Sequence, residues 1–71
     1  MGMQIKTISE TVRERRKELR LTQSELAMAS GTGVRFISDL ENGKETLRLD
    51  KTLEVMGALG IEIQLRTSSQ R

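Results

Sequence analysis

The side chains of this protein that could do chemistry are few in kind. Its 71 residues include no cysteine and no histidine. That removes a thiolate nucleophile, a Ser-His pair and a Cys/His zinc site together. The ten acidic residues are scattered among twelve basic ones, so a carboxylate-only metal site has no cluster to form on. No catalytic residue, metal or cofactor is expected, and the chain reads as a non-enzyme. What remains is the non-covalent chemistry of guanidinium, ammonium, amide and hydroxyl groups. These donors gather between Thr32 and Lys44, where Arg35, Ser38, Asn42 and Lys44 follow one another. Donors of this kind suit an anionic or hydrogen-bond-accepting partner.

The elements that would hold these donors follow from glycine punctuation and helical spacing, since the chain has no proline. Ser9 reads as the N-cap of a helix over Glu10 to Leu19, with Ile8, Val12, Arg16 and Leu19 at helical spacing. Arg13, Glu14, Lys17 and Glu18 read as a solvated face of i,i+4 pairs. Thr22 followed by Glu25 is a capping box that starts a second helix near Gln23. Gly31 ends it in a left-handed turn. A third helix opens at Thr32 or Gly33 and runs to about Glu41, with Ile37 and Leu40 inward and Asn42-Gly43 as the stop. A fourth spans roughly Leu49 to Leu59, with Leu49, Leu53, Met56 and Leu59 expected on its buried face and Gly60 at its end. Ile61-Glu62-Ile63-Gln64-Leu65-Arg66 alternates apolar and polar residues, as a half-buried strand does.

A chain of 71 residues makes one domain with a thin stability margin, and without disulfide or metal staples the remaining support is self-association. The strand has no partner within the chain. It is therefore expected to pair, through Ile61, Ile63 and Leu65, with its copy in a second subunit. The alternative is an extended tail packed on the fourth helix. The expected architecture is all-α, four to five short helices with one short C-terminal β-strand paired across a dimer. Its divisions are an N-terminal extension (1–8), a helical domain (9–59), a dimerising strand (60–66) and a flexible tail (67–71). No apolar run is long enough to span a membrane and the start does not read as a signal peptide, so a cytoplasmic location is expected.

Two short helices joined by a tight glycine turn make a helix-turn-helix motif. In such a motif the second helix enters the major groove of duplex DNA, its N-terminal residues reaching base edges. Here those residues are Gly33, Val34, Arg35, Ser38 and Asp39. Arg35 can donate twice to guanine O6 and N7, Val34 can pack on a thymine methyl, and Asp39 can accept from cytosine N4. A phosphate contact for Arg35 and a structural role for Asp39 stand as alternatives. Candidate phosphate contacts are Gln23 at the start of the second helix, then Thr32, Ser38, Asn42, the Gly43 N–H and Lys44; for Asn42 and Gly43, turn formation explains the residues equally well. Arg48 and Lys51 read as solvated. Phe36 is the only aromatic residue, which disfavours single-strand binding through stacking.

From Ile8 to Leu59 the sequence resembles the Xre/Cro-type helix-turn-helix family, which has the lambda-repressor-like fold. The likeness is carried by Leu21-Thr22-Gln23-Ser24-Glu25-Leu26-Ala27, by Gly31, and by Ile37-Ser38-Asp39-Leu40-Glu41-Asn42-Gly43-Lys44. A narrower resemblance, to HipB-type antitoxins, rests on Gly33-Val34-Arg35-Phe36-Ile37-Ser38, on Leu47-Arg48-Leu49-Asp50-Lys51 and on Leu59-Gly60-Ile61. It implies a dimer that represses its own operon at a near-palindromic site and binds a HipA-type serine/threonine kinase toxin. The wider family pairs residues at the positions of Arg16 and Glu41 inside the domain. That implies a structural ion pair and removes Arg16 from the DNA contacts. A stand-alone or phage-type repressor without a toxin, and a helical adaptor that does not use DNA, are the competing readings.

Overall fold

The computed structural model describes residues 4–68 and holds four helices: α1 (Ile5–Glu18), α2 (Gln23–Ser30), α3 (Val34–Glu41) and α4 (Leu49–Ala58). The ends of the expected extension and tail, 1–3 and 69–71, lie outside these residues. Helix α2 packs against both α3 and α4, and α1 crosses α3. Val12, Leu26, Ala27, Ile37, Leu40, Val55, Met56 and Leu59 fill the space between them. None of the described helices is long and apolar enough to cross a membrane.

Helix α1 starts earlier than expected. Its N-cap is Gln4, which makes no side-chain capping bond. Ser9 is buried within the helix, and its hydroxyl donates to the Lys6 carbonyl at 3.0 Å. A serine that bonds back to its own turn satisfies itself inside a helix and need not start one. The ion pairs on α1 are Lys6–Glu10 and Arg15–Glu18, not the Arg13/Glu14/Lys17/Glu18 set; in that set the residues four apart carry like charge. After Leu19 the chain turns through Arg20 at φ 59°. The Arg20 and Leu21 N–H groups donate back to the carbonyls of Lys17 and Arg16, a left-handed helix cap of the kind glycine usually fills. An arginine held there costs roughly 1–2 kcal/mol.

The capping box of α2 is complete. Thr22 Oγ1 accepts from the Glu25 N–H at 3.0 Å, and Glu25 Oε1 accepts from the Thr22 N–H at 2.8 Å. Gly31 follows at φ 70° and reverses the chain into α3.

One expectation about the C-terminal third needs correction. The buried face of α4 is Thr52, Val55 and Met56, continued by Leu59, whereas Leu49 and Leu53 are 69% and 46% exposed. Thr52 can be buried because its hydroxyl donates to the Arg48 carbonyl, so apolarity alone misplaced the inward stripe. Residues 61–68 form no strand within the single chain, and the expected pairing is with a second copy. Strand hydrogen bonds need a neighbouring strand, and the single chain offers none. Instead Ile61 and Ile63 pack against the core while Leu65 is 89% exposed.

Candidate nucleic-acid interface

The position of α3 is fixed from below by a buried ion pair. Arg16 lies on the inward side of α1, and its Nε donates to Glu41 Oε2 at 2.6 Å and its Nη2 to Oε1 at 3.0 Å. The remaining Nη1 donates to the Leu21 carbonyl at 2.8 Å. Only 13% of the Arg16 side chain and 3% of the Glu41 side chain reach solvent. Burial alone would raise the Glu41 carboxyl pKa. Hydrogen bonds from Arg16 and Gln23, with the charges of Arg16 and Arg13, outweigh it and hold the carboxyl below its ordinary value. The same hydrogen bond raises the Arg16 pKa. One charged cluster thus ties the end of α3 to the last turn of α1 and the start of α2.

The other end of α3 is open. Gly33 is its N-cap, with no side-chain capping bond, and a Cβ built on it meets nothing within 4 Å. Its φ of −101° is ordinary for any residue. The fold itself therefore does not demand glycine here, whereas a surface approaching the helix start from outside would. Val34 and Arg35 follow, both exposed. Arg35 has neither an ion pair nor a side-chain hydrogen bond to any described residue. Ser38 and Asp39 are half-buried one turn on.

The candidate phosphate contacts divide into free and occupied groups. One N–H of the Gln23 amide donates to Glu41 Oε1 at 3.2 Å, and the second has no acceptor among the described residues. Beside it Ser24 is exposed at the start of α2. The sequence reading passed over Ser24 because a small polar residue after a cap carries no periodic signal. Thr32 Oγ1 shares a hydrogen bond with Ser30 Oγ at 2.9 Å. The Gly43 N–H donates to the Leu40 carbonyl, and φ 77° explains the glycine by the turn it makes. Lys44 Nζ lies 3.6 Å from Asp39 Oδ2, with half of its side chain in solvent. That pair is loose enough to exchange for a phosphate, and it occupies the Asp39 carboxylate meanwhile. Asn42 is exposed at the C-cap of α3. Arg48 pairs with Asp50, and Lys51 Nζ sits 5.8 Å above the half-buried Phe36 ring. Phe36 packs against the core and forms no stacking platform.

This arrangement matches known proteins across its length. The helix-turn-helix family matches residues 12–65. An HTH-type transcriptional regulator of Sinorhizobium fredii, y4mF, is 45% identical over an alignment that covers 100% of this chain and 97% of the relative. Among solved structures, a HipA-HipB-O2-O3 complex and a HipB-O4 20mer complex each contain a chain that superposes with a TM-score of 0.83, covering 97% of both chains at 22% identity. With the geometry of α2 and α3 and the length of these matches, the chain belongs to the helix-turn-helix family of transcriptional regulators.

Proposed function

We propose that this regulator is a sequence-specific repressor that binds duplex DNA as a homodimer, with α3 in the major groove. The observation that carries the reading is the start of α3. Val34 and Arg35 are exposed there on a helix whose far end is locked by Arg16–Glu41. Arg35 reads a guanine, Val34 packs on a thymine methyl, and Gly33 allows close approach. Ser38 and Asp39 lie one turn further along the same face. Ser24, Thr32, Asn42 and Lys44 contact phosphates on either side. Thr32 and the Gly43 N–H contribute by sharing bonds they already make, and Gln23 through its second N–H.

Dimerisation is supported by the apolar surface that a single chain leaves uncovered, namely Leu49 and Leu53 on α4 and Leu65 beyond it. A second copy covering them would also give the 61–66 segment a neighbour to pair with. The likeness to a HipB chain solved with HipA supports a further step, in which the repressor also holds a HipA-type kinase toxin and controls its own operon.

Selection of bound DNA from a random pool, with the oligomeric state measured in parallel, tests the core of this reading. Inverted repeats with half-sites about one helical turn apart are expected, together with a dimer. Failure to enrich any sequence would overturn it in favour of a helical adaptor. Co-purification with a HipA-type kinase encoded beside the regulator tests the toxin step separately; no complex leaves a stand-alone repressor.

A further inference from the structure

We infer that α1 carries a second phosphate-binding ridge, formed by Arg13, Lys17 and Arg20, that extends the DNA footprint beyond the recognition helix. The inference rests on the DNA-binding reading above and deepens it.

The charges of α1 are sorted around its axis. At 3.6 residues per turn, Lys6, Arg13 and Lys17 fall within about 40° of one another, while Glu10, Glu14 and Glu18 lie on a line centred roughly 80° away. Two of the acids are already matched, Glu10 with Lys6 at 3.9 Å and Glu18 with Arg15 at 3.3 Å, while Glu14, about 60° around the axis from Lys17, pairs with no described residue. Arg13, Lys17 and Arg20 are exposed, and none has an ion pair or side-chain hydrogen bond to a described residue. Arg20 sits just beyond the helix at φ 59°, in a conformation that offers an arginine no local reward.

The ridge also lies on the side that the interface already uses. Arg13 lines an open cleft together with Lys6, Ser9, Asn42 and Gly43, so it borders the turn that carries the Asn42 and Lys44 phosphate contacts. Arg20 precedes the Thr22 cap of α2 by two residues, and Ser24 is exposed in the first turn of that helix. One basic edge therefore connects two candidate backbone contacts. Glu45, at the mouth of the same cleft, carries no ion pair among the described residues. It marks the end of the ridge, because a phosphate track would run from Arg13 away from that carboxylate.

The test is the salt dependence of binding to a random-sequence duplex, where phosphate neutralisation dominates. The Arg13→Gln/Lys17→Gln/Arg20→Gly variant is expected to lower the slope of log K against log salt by about 2.7 per protomer, and so by about 5.4 for the dimer, or nearly one unit per cation removed. Base preference at the selected site should be unchanged. Arg20→Gly alone separates charge from folding: its melting temperature should rise while its slope falls. Glu14→Gln, on the acidic line, should leave the slope as it is. If the wild type binds duplex DNA and the triple variant keeps its full slope, the ridge is overturned while the recognition helix stands. If the wild type binds no duplex at all, both fall together.

Discussion

Helices α2 and α3 are consecutive, eight residues each, and joined by Gly31, yet their starts are built in opposite ways. The first turn of α2 is closed by a reciprocal Thr22–Glu25 box. The first turn of α3 follows a glycine and has no side-chain cap. At their other ends the asymmetry reverses: α2 stops at an exposed glycine, while α3 ends on the buried Glu41. The difference teaches a division of labour. Helix α2 is secured where it enters and α3 where it leaves, which keeps the start of α3 open, as the proposed DNA contact requires.

Removing the anchor of α3 should have the largest effect. Glu41→Ala strands the Arg16 charge and should cost about 3–5 kcal/mol, a large share of the roughly 4–10 kcal/mol available to a domain of this size. A urea melt should show its midpoint sharply lowered. The same residue sets the acid limit. Because its folded pKa is depressed, its contribution is complete above the unfolded carboxyl value of about 4.3 and is lost as pH falls through the folded value. Glu41→Gln should therefore flatten the acid limb seen by circular dichroism; an unchanged limb would place the acid sensitivity elsewhere.

At the open end of α3, Arg35→Ala should leave the melting temperature alone and weaken operator binding by about 1–3 kcal/mol, relaxing preference at one base pair per half-site. Equal weakening on every sequence would reassign Arg35 to phosphate. At the closed end of α2, Thr22→Ala should cost about 1 kcal/mol of stability, with base preference retained. The smallest effect tests the comparison itself. Gly33→Ser gives α3 the cap it lacks, in space that accepts a Cβ. It should stabilise the fold by a few tenths of a kcal/mol while weakening DNA binding. A variant that gains stability and keeps full affinity would show that the bare start has no bearing on DNA.

These contrasts show where sequence was legible. Thr22–Glu25 and Gly31 announce α2 because each supplies a specific hydrogen bond or dihedral that few other residues supply. Glu41, Asn42 and Gly43 mark the end of α3 for similar reasons. The start of α1 was illegible because Gln4 makes no capping bond, and Ser9 imitates a cap it does not form. The inward face of α4 was misplaced because Leu49 and Leu53 look like core, while Thr52 does not until its bond to Arg48 is seen. At the interface, sequence identified which groups can donate. It gave no sign that Gln23, Thr32 and the Gly43 N–H already hold bonds within the fold.

One long-range contact bears on how the molecule assembles. Arg15 Nε donates to the carbonyl of Leu59 at 2.9 Å across 44 positions of chain, linking the end of α1 to the end of α4. The contacts of the α2–α3 hairpin close only short loops and form early, whereas this one must bring together distant segments of chain. It is expected to form late, so that Arg15→Ala should speed unfolding more than it slows folding in a chevron measurement; equal slowing of folding would place the contact in the nucleus.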